Sequence, residues 1–236
     1  MDMPKYKRLF LLHPYGIGYL VMVMPVLHAI KRNLPNSRIN LVVSKAQLPL
    51  AETLDGKLVE EFTLRDKGNR FLNMVHFIKE ARKFKPDLVA EFTGGYRFTL
   101  VGYLSSAEHV HPSSEPLRHV LEHFDLERIP PSQSPHSVDN YLQLLPYLGF
   151  PVGKISFDFY PSPMGIARAH RIAQTLGLYE KRLIGIVPDS KSRLKDWPTD
   201  TLRETIDILV DDFGYDVVVF GKTAAQDLKG KRIIDL

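Results

Sequence analysis

The 236-residue chain is 44% hydrophobic and 25% charged, the balance of an ordinary globular protein, which excludes low-complexity disorder and a fibrous repeat. Cysteine is absent, so disulfide frameworks, thiolate zinc sites, iron–sulfur clusters and cysteine nucleophiles are excluded together. The formal net charge of +4, from 31 Lys+Arg against 27 Asp+Glu, is too small for a nucleic-acid-binding stripe but suits an anionic substrate or an anionic membrane surface.

At the amino terminus, basic Lys5–Arg8 and apolar Leu9–Leu12 are soon interrupted by His13, Pro14, Gly16 and Gly18. The apolar run Ile17–Ile30 contains Pro25 and His28 and falls short of the roughly 20 residues a membrane span needs. Neither a signal peptide nor a transmembrane helix is predicted, and a cytoplasmic location is the default. Arg8–Leu12 (RLFLL) reads as a buried strand, followed by the loop His13–Gly18. Leu20–Leu34 has helical apolar spacing, basic Lys31 and Arg32 in its last turn and Pro35 beyond; Pro25 marks either its start or a kink. Arg38–Val43 is the next strand and Lys57–Leu64 a short third one. Phe71–Phe84 is an amphipathic helix stopped by Pro86, and Asp87–Glu91 is a strand leading into Thr93-Gly94-Gly95. Strand–helix–strand alternation with short connections implies a parallel, doubly wound sheet.

Residues 105–137, rich in Ser, Pro and His, form a long surface excursion with room for a helix at Pro116–Phe124. Val138–Leu148 is predicted helical with a kink at Pro146, residues 150–163 are a proline-bearing crossover, and Ala167–Leu176 is a helix. A second α/β pattern then begins. It comprises a strand Leu183–Val187, a polar loop from Pro188 to Trp197, a helix Thr199–Phe213 with Thr199 or Asp200 as N-cap, and a strand Asp216–Phe220. Trp197 is expected to pack the helix start against the sheet. A short helix after Gly221 and a further strand from Ile233 complete the chain. The expected division is a Rossmann-like domain over 1–160 and a partial second one over 161–236, with an exposed sheet edge at the carboxy terminus.

The loop HPYGIGYL joins a strand to a helix, an arrangement that presents backbone N–H groups to an anion. It is not a dinucleotide fingerprint. Val21 stands where the third glycine belongs, and the second strand ends Val43-Ser44-Lys45 with no acidic residue for a ribose hydroxyl. Gly16 and Gly18 either cradle an anion or simply permit a tight turn. His119 and His123 have the i,i+4 spacing of a zinc pair, yet no HExxH pattern is present, and no metal site is assigned.

Three segments in order carry a resemblance. LLHPYGIGYLVMVMPVLHAIKRNLPNSRINLVVS, HSVDNYLQLLPYLGF and IGIVPDSKSRLKDWPTDTLRETIDILVDDFGYDVVVFG are together similar to glycosyltransferase family 9, the ADP-heptose:lipopolysaccharide heptosyltransferases. Matching positions include Gly18, Pro25, Lys31, Arg32 and Pro35 in the first. His136, Val138, Asp139, Tyr141 and Leu142 match in the second, and Pro188, Ser190, Lys195, Trp197 and Pro198 in the third.

The resemblance implies a GT-B-like α/β architecture, with an acceptor-side amino-terminal domain and a donor-side second domain. It implies an inverting, metal-independent sugar transfer from an ADP-heptose-like nucleotide sugar to a lipopolysaccharide inner-core acceptor, with no cofactor. The implied partners are the nucleotide sugar and the glycolipid acceptor, with peripheral contact at the inner membrane and no nucleic acid. A general base must take the acceptor proton, and cations or helix N-termini must meet the charge on the leaving diphosphate. The family's acidic residue after the loop glycine matches Tyr19, whose phenol ordinarily titrates near 10. His13 matches a usually basic position and is the second candidate, expected to titrate usefully near neutrality. Lys195 and Ser190 are the donor-phosphate candidates; Gly16, Gly18 and Arg97 are the acceptor-side ones. Ala225 stands where the family often carries Glu, and its later Asp-Ser-Gly-x-x-His segment has no counterpart before Leu236. The alternative is therefore a truncated or degenerate, non-catalytic family member acting as a binding module.

Overall fold

The computed structural model describes residues 6–65, 68–92, 96–105, 107, 109–111, 136–188, 197–220 and 233–235. The chain divides into two compact units, Met1–Pro161 and Ser162–Leu236.

The first unit is a five-stranded sheet of order β3-β2-β1-β4-β5, every pairing parallel. Its strands are β1 (Arg8–Leu12), β2 (Arg38–Ser44), β3 (Glu61–Arg65), β4 (Leu88–Glu91) and β5 (His109–His111). Its helices are α1 (Ile17–Asn33), the short α2 (Leu48–Ala51), α3 (Arg70–Phe84), α4 (Tyr96–Leu104), α5 (Ser137–Leu142) and α6 (Leu144–Tyr147). The near-continuous apolar strands follow from burial on both faces. Successive β1 side chains alternate: Leu9 and Leu11 pack with α1, α5 and α6, whereas Phe10 and Leu12 pack with Phe77, Ala81 and Phe84 of α3 and Val101 of α4.

Helix α1 begins three residues before the predicted start and runs unbroken through Pro25. A proline inside a helix costs about 3 kcal/mol. Here the cost is offset by burial, because Leu20, Val23, Met24, Val26, Leu27 and Ile30 are all fully buried and each contributes roughly 1.5–3 kcal/mol. The third strand is shorter than expected: residues 56–58 form a turn with Gly56 at φ 64°, and pairing starts at Glu61. The predicted helix over 138–148 is two pieces meeting at Gln143. Pro146 has no N–H to give the Leu142 carbonyl, so the α-ladder cannot pass. Within the predicted excursion, β5 adds a three-residue strand beside β4 that is too short for periodicity to show. The helix expected at Pro116–Phe124, and His119 and His123, lie outside the described residues.

The second unit holds α7 (Pro163–Thr175), β6 (Leu183–Ile186), α8 (Thr199–Asp211), β7 (Asp216–Val219) and β8 (Ile233–Asp235), with the parallel order β6-β7-β8. Helix α7 starts four residues earlier than expected, because Ser162 accepts from the Gly165 N–H at 3.1 Å and Pro163 supplies a preset first-turn φ. For α8 the cap position is Pro198, so Thr199 and Asp200 enter the first turn instead of capping it. Leu202 and Ile206 seat this helix against Ile186, Val217 and Val219. That apolar stripe suffices without Trp197, which is 43% exposed, contrary to the expectation that it packs on the sheet. The segment after Gly221 lies outside the described residues. Among the described residues, no helix is long and apolar enough to cross a membrane.

Lys85 ends α3 in the left-handed region at φ 54°, a conformation that glycine adopts without penalty. Replacing Lys85 with Gly is expected to stabilise the protein by about 0.5–1 kcal/mol, read as a higher urea midpoint with unchanged slope.

Candidate active site

Strand order places the site. From β1 the chain winds outward through β2 and β3, whereas β4 and β5 lie on the other side. The connections therefore diverge between β1 and β4, and the crevice beyond the carboxyl ends of those two strands is the natural ligand position in a doubly wound sheet. Leu12 pairs with Glu91 there, so His13 and Glu91 flank the crevice at the ends of their strands.

The loop from His13 to Gly16 is held from below. The buried amide of Gln47 donates to the His13 carbonyl at 3.2 Å and the Gly16 carbonyl at 3.3 Å, while its oxygen accepts the Ser44 N–H at 2.8 Å. The Ser44 hydroxyl donates to the Tyr15 carbonyl at 2.7 Å, and the Arg65 guanidinium to the Pro14 carbonyl at 2.9 Å. Every one of these clamps comes from the end of β2, the turn after it, or the end of β3. The loop is therefore a fixed extension of the sheet edge.

His13 is 1% exposed and sits in an aromatic cage. Ring centroids of Tyr141, Phe92, Tyr19 and Tyr15 lie 5.3, 6.0, 6.1 and 6.3 Å from its own. Neither imidazole nitrogen has a hydrogen-bond partner among the described residues. Desolvation by burial dominates and lowers its pKa from 6.5 to about 4, against a smaller raising effect of its own backbone. This corrects the expectation that His13 titrates near neutrality: it is a neutral imidazole at pH 7. Tyr141 moves the other way, up to about 12, through burial first and then the charges of Tyr19, Glu91 and Tyr15. Its phenol keeps its proton. Tyr19, in the first turn of α1, is 46% exposed on the open side of the cage.

Gly16 occupies the cap position of α1 with an extended backbone (φ −82°, ψ 168°), with no side-chain cap and no acidic residue in the first turn. Neither Gly16 nor Gly18 adopts a positive φ, so backbone strain does not require glycine at either position. A Cβ added at Gly18 would meet nothing within 4 Å, which leaves open space over the positive end of the helix.

Beside the loop lies a cavity of about 250 Å³ lined by Tyr15, Arg65, Arg70, Asn73 and Arg97, floored by Phe77. Arg97 is half-buried in this wall, early in α4. Arg65 and Arg70 join it from the end of β3 and the start of α3, and no carboxylate lines the cavity among the described residues. Sequence reasoning named Arg97 but missed its two companions, and also Gln47 and Glu91; Tyr141 was named only as a matching position of the resemblance, with no role. Glu91 had a local signal, a carboxylate closing the otherwise apolar strand DLVAE. Arg65 ends a parallel strand, where side chains face the ligand crevice. Ser190 and Lys195 lie outside the described residues.

The chain belongs to glycosyltransferase family 9 (heptosyltransferase), whose profile matches residues 75–235. The His13 loop precedes that matched region. Lipopolysaccharide heptosyltransferase 3 of Escherichia coli (strain K12) is 23% identical over 222 residues; the match covers 89% of this chain and 62% of the relative's length. A family 9 glycosyltransferase from Veillonella parvula DSM 2008 superposes with a TM-score of 0.81 at 19% identity, over 98% of this chain and 69% of that one. The Escherichia coli ADP-heptose lipopolysaccharide heptosyltransferase II superposes with a TM-score of 0.69 at 17% identity, over 97% and 72%. At these identities the superpositions speak for the fold, a GT-B-like succession of two Rossmann-like units.

The unfolded chain protonates His13 near 6.5 and the folded chain only near 4, so between those values unfolding takes up a proton. The penalty is absent above the higher value and grows as pH falls toward the lower one. Urea unfolding should show the wild type losing about 2 kcal/mol more than His13→Leu between about pH 7 and about pH 5.

Proposed function

We propose that the protein transfers a heptose-like sugar from an ADP-linked donor to a lipopolysaccharide inner-core acceptor, with inversion and without a metal or other cofactor. The observation that carries this reading is the family match over residues 75–235. The first unit takes the acceptor side. Its arginine cavity suits an anionic substituent, phosphate or carboxylate, because three arginines line it with no competing carboxylate among the described lining residues. The open space over Gly18, with the α1 N-terminus beneath Gly16, suits a second polar approach next to the cage. The second unit takes the donor side, with Lys195 as a point charge for the diphosphate and Ser190 as a hydrogen-bonding partner.

In this reading the acceptor hydroxyl lies against the cage and loses its proton as its oxygen attacks the anomeric carbon. The anomeric bond to the diphosphate breaks with its electron pair leaving on the phosphate oxygen. A neutral imidazole keeps an acceptor lone pair throughout the neutral range. In this reading His13 takes the proton, against the burial that lowers its pKa to about 4 and so opposes the imidazolium it then becomes, and Tyr19 orients the sugar from the exposed side.

A second reading, a binding module without turnover, is favoured by Tyr19 standing where the family's acidic residue belongs. The acceptor cavity then functions alone.

Incubation with ADP-heptose and a core-oligosaccharide acceptor should give an acceptor heavier by one sugar residue. His13→Gln should lower kcat by about 10²–10⁴, and Tyr19→Phe by less than about tenfold. Absence of donor binding at millimolar concentration would overturn the enzyme reading, and a reversed order of the two variants would reassign the base.

A further inference from the structure

Tyr15 is fixed at its backbone and open at its ring. Its N–H donates to the His13 carbonyl at 3.0 Å, and its carbonyl accepts from the Ser44 hydroxyl at 2.7 Å. On either side of it, the Pro14 carbonyl accepts from Arg65 and the Gly16 carbonyl from Gln47. A segment tied in this way cannot shift to bury the ring, which stays 39% exposed. Tyr19 is exposed as well, and its ring centroid lies 5.8 Å from that of Tyr15 with the planes tilted by 52°. The two rings therefore present one aromatic surface beside the loop.

Tyr15 also stands between two parts of the site. Its ring meets His13 edge-on, at 6.3 Å and 75°, and the same residue lines the cavity that holds Arg65, Arg70 and Arg97. That cavity is amphipathic, because Phe77 and Phe98, stacked at 6.2 Å, line it together with the arginines. At about 250 Å³ it is smaller than the roughly 300–1,000 Å³ of a site for a drug-sized ligand, so it takes one small group and not a run of sugars. A bare anion would use the arginines alone and gain nothing from an aromatic wall. A sugar ring carries hydroxyls on its rim and C–H groups on its face, and such a face packs on an aromatic ring, whose π surface is partially negative. An aromatic wall joined to an arginine cavity is therefore complementary to a sugar that itself bears a phosphate or carboxylate.

We infer that Tyr15 is a specificity-determining residue of the first unit: one face of an acidic sugar lies on its ring, with Tyr19 extending the surface, while the sugar's phosphate or carboxylate enters the arginine cavity. The arginines supply affinity for the charge, and Tyr15 supplies the preference for a charge carried on a sugar. The inference rests on the acceptor role proposed for the first unit and adds the residue that tells an acidic sugar from a free anion. Its direct readout is binding, which needs no turnover.

The test is a nuclear magnetic resonance titration of the full chain with two acidic sugars, glucose-6-phosphate and glucuronate, and with the matching bare anions, inorganic phosphate and acetate. Affinities come from amide shifts, and the stacked face from saturation transfer to the sugar protons. The wild type should bind at least one acidic sugar about tenfold more tightly than its bare anion, with transfer strongest to the C–H groups of one ring face. The pair that shows the preference tells phosphate from carboxylate. Tyr15→Leu keeps apolar cover over His13 but has no ring, and it should abolish the preference while bare-anion affinity and melting temperature stay unchanged. Tyr15→Trp should retain the preference, and Arg70→Gln should weaken sugar and anion alike. No preference in the wild type, a preference that survives Tyr15→Leu, or an equal loss of both ligands in Tyr15→Leu would overturn the inference. So would a Tyr15 dependence confined to adenosine monophosphate, which would give the wall to a base. If sugar transfer fails while the Tyr15-dependent preference holds, the functional reading falls and the wall stands. If transfer proceeds with the acceptor KM unmoved by Tyr15→Leu, transfer stands and the wall falls.

Discussion

Strand β1 is the constraint on which the first unit depends. It is hydrogen-bonded in parallel to β2 on one side and β4 on the other, and its two faces are covered by different helices. A strand so enclosed has no freedom in register, because a slip of one residue would exchange Leu9 and Leu11 with Phe10 and Leu12 between two separately packed layers. The carboxyl end of β1 is therefore fixed, and with it the position of His13. The loop inherits this rigidity through Gln47, whose amide ties two of its carbonyls to the end of β2.

That rigidity has an electrostatic consequence. His13 is held in a cage of aromatic rings that offers its nitrogens no described partner, so burial favours the uncharged form. The cationic character of the site comes from elsewhere. Arg65, Arg70 and Arg97 stand at the end of β3 and the starts of α3 and α4, on the same side as the carboxyl ends of the strands. The first unit thus separates two functions in space. An apolar, neutral wall lines one part of the site, and an arginine-lined cavity lies beside it.

Much of the fold was legible in the sequence because burial on both faces writes β1, β2, β4 and β7 as apolar runs between turn residues. The misses have specific causes. Burial overrides the proline in α1, a missing N–H splits the helix at Gln143, and β5 is too short to carry a period. The site was legible only where chemistry lies within a few residues. His13, Gly16, Gly18 and Tyr19 stand together in one loop and helix start. Arg65 and Arg97 lie far apart in the chain, and only the winding of the sheet brings them to one cavity. The neutrality of His13 was not legible, since it depends on Tyr141 and Phe92 arriving from distant elements. The chain spans 62% of the length of its curated relative, and the residues assigned to the donor lie in its second unit.

The central claim is that the crevice beyond β1 and β4 holds a neutral His13 against the acceptor. Nuclear magnetic resonance of the protein labelled in its histidine rings tests it most directly. The His13 signals should stay those of a neutral imidazole through the neutral range, reach the midpoint of their titration only near pH 4, and shift when an anionic core oligosaccharide is added. Titration near the ordinary value of about 6.5, with no response to the oligosaccharide, would contradict the account.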